Sequence, residues 1–229
     1  MGDSPIHNGH RNRIKSRFLN EGLDNFEQHN ILELLLFYAI PRSDTNVIAH
    51  DLIRHFKKLS EVFDAPFQEL IQINGISENV AILIKLIPQI CRHYINDRFV
   101  TPEFMNSADK LGEYFINKFI GINNEIVFLM CLDSSLSILS CQELTKGTVS
   151  MANIDMRVIF ENVIKNNAVC VVLAHNHPRG IAAPSSSDIA STTKIIDALK
   201  IINVSFVDHI IVAENDFCSL VQRKYITQK

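Results

Sequence analysis

Two histidines and an aspartate in one short stretch of this chain are residue types that bind a divalent metal. The stretch reads A-H-N-H-P-R-G-I-A-A-P-S-S-S-D-I-A and contains His175, His177 and Asp188. It follows the apolar run 168–173, which is typical of a buried strand. Because side chains alternate along a strand, histidines two residues apart point to the same side. Two imidazoles and one carboxylate leave a fourth zinc position open, as in catalytic sites.

Two further side chains could complete such a site. Ser185 lies three residues before Asp188, and its hydroxyl could donate a hydrogen bond to an oxyanion beside the metal. Glu143, at the end of the strand-like run 136–144, is the best upstream candidate for a general base that takes a proton from a zinc-activated water.

The same residues also have ordinary structural interpretations. Ser-Ser-Ser-Asp before an apolar helix is typical of a helix N-terminus, with Asp188 in the first turn, and such a turn could also hold a ligand carboxylate in place. Glu143 could be a solvated strand end. Two histidines and a carboxylate also describe non-haem iron oxygenases, although the order H-x-H…D is unusual there. For Asp208 and His209, a structural hydrogen-bond role is favoured over support of the metal ligands.

The elements that must position these residues follow two different patterns. Residues 10–95 contain helical patterns only, at 11–19, 27–39, 46–56, 59–63, 66–72 and 78–94. Beyond residue 106, helices at 107–119, 156–166 and 187–201 mix with strands at 125–132, 136–144, 168–174, 205–213 and 218–220, with a turn at Asn215-Asp216. We therefore predict a helical domain over 1–96, a linker over 97–106 and an α/β domain with a mixed sheet over 107–229.

Composition narrows the class of protein. The 229 residues are 47% hydrophobic and 21% charged, with a net charge of −3, which indicates a globular chain rather than an obvious polyanion binder. No run approaches the ~20 apolar residues of a membrane span, and the N-terminus lacks the apolar core of a secretory signal. Five cysteines without a C-x-x-C pair favour reduced thiols. We expect a cytoplasmic protein without a membrane partner.

One segment of the helical part could meet nucleic acid. The sequence I-N-G-I-S at 73–77 is similar to the hairpin of a helix-hairpin-helix, whose backbone N–H groups contact DNA phosphate. Ser77 replaces the second glycine and Glu78 would repel phosphate, so a tight turn that needs Gly75 for packing is the favoured interpretation. A basic run could attract a nucleic-acid backbone or form a solvated helix face; it comprises Arg11, Arg13, Lys15 and Arg17.

The site residues resemble a known signature. In the JAB/MPN/JAMM metalloenzymes a glutamate precedes H-x-H, seven residues and S-x-x-D, and this spacing is met by Glu143, His175, His177, Ser185 and Asp188. Over nearly the full chain, the strings E-L-L-L-F-Y-A-I-P-R, A-H-N-H-P-x-G and V-D-H-I-I-V resemble the RadC (UPF0758) family. One departure is M-R-V at 156–158, where the family usually begins a helix with Pro-Arg-Glu.

The resemblance implies a helix-hairpin-helix-like N-terminal domain and a cytidine-deaminase-like α/β/α C-terminal domain. It implies Zn²⁺ held by His175, His177 and Asp188, with Glu143 as general acid and base and Ser185 at the oxyanion. The expected function is zinc-dependent hydrolysis of an amide or isopeptide bond in an unidentified peptide or protein. The alternative is a DNA-associated accessory protein of repair or recombination, with weak DNA binding through the helical domain and a structural or vestigial metal.

Overall fold

A computed structural model of the chain describes residues 5–41, 43–98, 104–144 and 154–227. The chain divides into two compact units, Met1–Ile90 and Cys91–Lys229. The predicted linker at 97–106 falls partly on residues 99–103, outside the described residues, and the predicted domain boundary at 96 stays a prediction. Among the described helices, none combines the length and the apolar character that a membrane crossing requires.

The first unit is helical in its described residues, which confirms the predicted fold class for this half. Its helices are α1 (Pro5–Glu21), α2 (Gln28–Ala39), α3 (Thr45–Phe56), α4 (Leu59–Asp64), α5 (Phe67–Leu70) and α6 (Glu78–Arg98), which extends past the division. Leucines from three helices are fully buried in one apolar cluster, and they are Leu32, Leu36, Leu52 and Leu70. Burial of these leucines, rather than local helix propensity alone, stabilises the short helices.

The turn before α6 requires a glycine. Gly75 has a φ of +85°, in the left-handed region that side chains disfavour. A Cβ at this position would lie 2.7 Å from Ile48 Cδ1 on α3. Both the backbone conformation and the close approach to Ile48 therefore explain Gly75, as the packing interpretation predicts.

Two arginines of the basic run hold α1 against the segments that follow it. Arg11 Nη2 donates hydrogen bonds to the carbonyl oxygens of Ile40 and Ser43, at 2.8 and 2.7 Å. Arg17 Nη2 donates to the carbonyl oxygen of Asn25 at 2.6 Å. Part of the basic run is thus engaged within the helical unit.

The second unit contains a five-stranded mixed sheet. Its elements are α7 (Ala108–Phe119), β1 (Val127–Leu132), β2 (Ile138–Glu143), α8 (Met156–Lys165), β3 (Cys170–Asn176), α9 (Ser186–Ile201), β4 (Ser205–Ala213) and β5 (Asp216–Ser219). The strand order is β2-β1-β3-β4-β5, with β3 and β4 parallel and all other neighbouring pairs antiparallel. The helix α9 connects the two parallel strands, as such a crossover requires.

Each face of the sheet carries its own apolar core, because side chains alternate along the strands. One face packs against α8 and α9 through residues such as Val127, Leu129 and Leu173. The other face packs against α7 through residues such as Phe128 and Met130. This arrangement is the three-layer α/β/α architecture with a mixed sheet that the sequence predicts.

Several predicted element boundaries shift, and two of these shifts concern the end of β3 and the turn after β4. The strand β3 extends two residues beyond the predicted end, so His175 lies within it and pairs with Val127 on β1 and Ile211 on β4. The predicted turn at Asn215-Asp216 lies one residue earlier, since Glu214 has a φ of 52° and Asp216 begins β5. Pairing with neighbouring strands sets both boundaries, and the local composition of the sequence does not show where that pairing ends.

Replacing Gly75 with alanine should destabilise the helical unit. We expect a loss of about 2–4 kcal/mol in the free energy of unfolding, from the left-handed backbone and the displaced Ile48 side chain. Urea unfolding of the full chain measures it. Gly22→Ala is the matched control, because Gly22 has a φ of +70° but no atom within 4 Å of an added Cβ. Equal losses in both variants would contradict a packing role for Gly75.

Candidate metal centre

The first predicted ligand, His175, lies in the central strand of the sheet and is fully buried. It pairs with Val127 of β1, so its imidazole lies on the face of the sheet that packs against α8 and α9. The pairing of β3 on both sides fixes the backbone of His175 and therefore the direction of its side chain.

The second predicted ligand, His177, lies one residue beyond the end of β3. Its backbone N–H donates to the carbonyl oxygen of Val212 at 2.8 Å, which continues the pairing with β4. Its Nδ1 lies 3.0 Å from the carbonyl oxygen of Ile181, and a carbonyl only accepts, so Nδ1 carries a hydrogen. In the neutral ring Nε2 is then bare and free to bind a metal. The side chain is 22% exposed, so this edge of the cluster is open to solvent.

The third predicted ligand, Asp188, lies in the first turn of α9 and is buried. Ser185 is the N-cap residue, and its backbone N–H and its hydroxyl both donate to Asp188 Oδ2 at 2.7 Å. The Asp188 N–H in turn donates to Ser185 Oγ at 3.2 Å, which completes a capping box. The structural interpretation of this segment is confirmed, and it also holds the carboxylate toward the histidines.

The three ligand atoms converge at the carboxyl end of β3. The Nε2 atoms of His175 and His177 are 2.9 Å apart, and the oxygens of Asp188 lie 3.7 and 3.8 Å from them. Ligands at ~2.0–2.2 Å from a tetrahedral zinc are roughly 3.3–3.6 Å from one another. Two ring nitrogens as close as 2.9 Å also need a proton or a metal ion between them. The three distances lie within about 0.4 Å of the spacing that a tetrahedral zinc requires. The cluster could hold a metal ion, and its donor set fits zinc.

The electrostatics favour neutral imidazoles at this site. Burial lowers the pKa of His175 to about 4, although the charge of Asp188 opposes this shift, and His177 adds to it. Burial also lowers the pKa of the neighbouring His209, and His175 and His177 lower it further. Both rings are thus neutral near neutral pH, and the neutral form is the one that binds a metal.

His209 and Thr192 contact the cluster, although the sequence did not single out Thr192. His209 Nε2 lies 2.7 Å from His175 Nδ1, and His209 Nδ1 lies 2.7 Å from Thr192 Oγ1. The structural hydrogen-bond role predicted for Asp208 is seen, since its Oδ1 accepts from the N–H groups of His209 and Val221. The same role was favoured for His209, but its ring contacts the candidate ligand His175 instead. In the sequence, the V-D-H-I-I-V string pointed to His209, whereas no local motif points to Thr192.

The structure does not bring the predicted base, Glu143, to the ligand cluster. Glu143 is the last residue of β2, and it lies at the same end of the sheet as His175 of β3. The strand β1 lies between β2 and β3. It pairs with Phe128, whose side chain belongs to the core on the α7 face, whereas His175 pairs with Val127 on the opposite face. Partners in an antiparallel pair share a face, so the Glu143 carboxylate lies on the other side of the sheet. Its catalytic role stays a prediction.

A second carboxylate, Glu125, lies just before β1, the strand that pairs with β3. Asn176, the residue between the two histidines, accepts from the Ile126 N–H at 2.9 Å. Its side-chain amide donates to the carbonyl oxygens of Asn124 and Ile122 at 3.0 and 3.3 Å. These three hydrogen bonds hold the segment around Glu125 against the end of β3.

The alternation of side chains also predicts the direction of Glu125. Ile126 and Phe128 pack on the α7 face, and Val127 packs on the face of His175. Extended by one residue toward the N-terminus, the same alternation directs the side chain of Glu125 to the face of the sheet that carries His175. Sequence reasoning missed Glu125 because its relation to the histidines depends on the pairing of β1 with β3.

A three-layer α/β/α unit with a His-His-Asp cluster at the carboxyl end of a central strand is the arrangement of a JAB-type domain. The RadC-like JAB domain family matches residues 105–225 of this chain. A UPF0758 protein of Fusobacterium nucleatum is 35% identical over 225 residues, which cover 95% of this chain and 97% of the relative. The chain therefore belongs to the RadC (UPF0758) family.

We expect the purified protein to carry about one zinc ion per chain. His175→Ala and His177→Ala should each abolish that zinc, because each removes one of the three candidate ligands that the described residues bring together. Metal analysis by mass spectrometry measures the stoichiometry. His55→Ala, which replaces an exposed histidine of the helical unit, should keep the zinc. A wild-type protein without stoichiometric metal would contradict the site.

Proposed function

We propose that this protein is a zinc-dependent hydrolase of the JAMM type that cleaves an amide or isopeptide bond. The observation that carries the proposal is the convergence of three ligand atoms within 4.8 Å of one another at a partly open edge of the sheet. The JAB/MPN family includes metallohydrolases. Zinc, when bound there, supplies Lewis acidity, which makes a water acidic near neutral pH and polarises a substrate carbonyl.

The residues of the chain supply binding, orientation and proton transfer. His175, His177 and Asp188 would hold the metal, and the capping box keeps the Asp188 carboxylate in place. The Ser185 hydroxyl donates to Asp188 in this structure. To reach an oxyanion it would turn away, and the Ser185 backbone N–H would still hold Asp188 Oδ2 at 2.7 Å.

A carboxylate must take a proton from the attacking water and pass it to the leaving amine. The family signature gives this role to Glu143. Strand register favours Glu125 instead. The hydrogen bonds of Asn176 hold the segment around Glu125, and the alternation of side chains directs its carboxylate toward the face of the histidines. We therefore propose Glu125 as the acid and base, with Glu143 as its competitor.

The alternative function is a DNA-associated accessory role with a structural or vestigial metal. A structural zinc site is closed by four protein ligands, whereas the described residues offer three at this cluster, and His177 is partly exposed. Contacts of Arg11 and Arg17 within the helical unit occupy part of the basic run that DNA binding would use. These observations support the hydrolase over the accessory role, and weak DNA binding by the helical unit remains a separate proposal.

Glu125→Gln should abolish hydrolysis and keep the zinc. We expect a loss of about 10²–10⁴-fold in kcat, since the amide cannot accept the proton, while the three ligands are untouched. Cleavage of an internally quenched peptide library by the zinc-loaded full chain measures the rate, and mass spectrometry measures the metal.

Glu143→Gln is the matched comparison, because it makes the same chemical change on the opposite face of the sheet. A small effect in this variant, next to a large effect in Glu125→Gln, is the expected pattern. The reverse pattern would return the role to Glu143. Loss of zinc from either variant would make that glutamate a ligand instead.

A further inference from the structure

Two neighbouring threonines on α9 make the same local hydrogen bond and differ in what else they contact. Thr192 Oγ1 donates to the carbonyl oxygen of Asp188 at 2.6 Å, and Thr193 Oγ1 donates to that of Ile189 at 2.8 Å. Thr193 is exposed, whereas Thr192 is fully buried and lies 2.7 Å from His209 Nδ1. Thr192 therefore joins the helix that carries one metal ligand to the strand beside the other two.

A continuous line of hydrogen bonds runs from Thr192 to the metal-binding atom of His175. It passes from Thr192 Oγ1 to His209 Nδ1, and from His209 Nε2 to His175 Nδ1, with both distances 2.7 Å. The opposite nitrogen of His175 is the Nε2 atom that faces His177. All three side chains have no exposed surface, so water cannot replace a missing partner.

This line has two arrangements of its protons. In the first, Thr192 donates to His209, His209 donates to His175, and His175 Nε2 carries a hydrogen that blocks a metal. In the second, Thr192 donates to the carbonyl oxygen of Asp188 and accepts from His209 Nδ1–H. His209 Nε2 then accepts from His175 Nδ1–H, which leaves His175 Nε2 bare.

We propose that Thr192 is a positioning residue of the metal centre, which selects the second arrangement. Its bond to the Asp188 carbonyl commits the hydroxyl hydrogen, so His209 must donate from Nδ1 and His175 must donate from its own Nδ1. Through these hydrogen bonds, Thr192 on α9 sets the tautomer of His175 on β3, with the hydrogen on Nδ1. Partners that fix the tautomer of a ligating histidine are a general feature of metal sites. The inference rests on the metal centre proposed above and does not depend on hydrolysis.

Thr192→Val should weaken zinc binding without removing a ligand. Valine has nearly the same shape but cannot accept from His209 Nδ1–H, so His209 turns to the tautomer that protonates His175 Nε2. We expect the zinc Kd to rise by about 10–100-fold, measured by competition with a chromophoric chelator on the full chain. Thr192→Ser keeps the hydroxyl and should restore the affinity to within about threefold of the wild type.

Thr193→Val is the matched control, because it removes the same kind of hydroxyl from the same helix without touching His209. It should leave the zinc Kd unchanged. Equal Kd values for Thr192→Val and the wild type would overturn the inference, and so would equal weakening by both valine variants. A wild type that binds no zinc would overturn the metal centre and this inference together. Zinc binding without hydrolysis would overturn only the proposed function.

A second measurement does not depend on the folding of a variant. In ¹⁵N-histidine-labelled, zinc-loaded wild type, long-range ¹H–¹⁵N spectra should show His209 protonated at Nδ1 and bare at Nε2. A wild-type His209 protonated at Nε2 would overturn the inference, whatever the affinities are.

Discussion

The pairing of β3 with a neighbour on each side is the constraint on which the candidate metal centre depends. Antiparallel pairing with β1 and parallel pairing with β4 hold the backbone of His175, and the bond from His177 to Val212 carries that pairing one residue further. Since a one-residue slip would turn both imidazoles to the α7 face, the register of this strand decides whether a site exists. The two apolar cores on either side of the sheet make such a slip costly.

The parallel pair also explains why the third ligand arrives where it does. A connection between parallel neighbours needs a crossover, here the helix α9, and its first turn lies at the edge where β3 ends. The capping box then serves two purposes at once, because the carboxylate that satisfies the start of the helix is also the one turned toward the histidines. A structural feature and a ligand are the same residue, so their sequence signals overlap.

Short-range patterns predicted the parts of the site that are local in the chain. Two residues of spacing put His175 and His177 on one side. The S-S-S-D pattern predicted a helix N-terminus with Asp188 in its first turn, and the structure confirms it with Ser185 as the N-cap. The α/β/α class followed from the order of helices and strands. The face on which Glu143 lies could not be read in the same way, because the pairing of β2 with β1 decides it. The role of Thr192 could not be predicted from the sequence for a similar reason, since its contact with His209 forms only when α9 packs on β4.

The candidate centre thus consists of three side chains held by three different means: strand pairing, a loop carbonyl and a helix cap. The most direct test of the account is a crystal structure of the zinc-loaded protein with anomalous data at the zinc edge. It should show one peak ~2.0–2.2 Å from the Nε2 atoms of His175 and His177 and from an Asp188 oxygen, with a water as the fourth ligand. A peak elsewhere, or a fourth protein side chain on the metal, would contradict a catalytic metal centre.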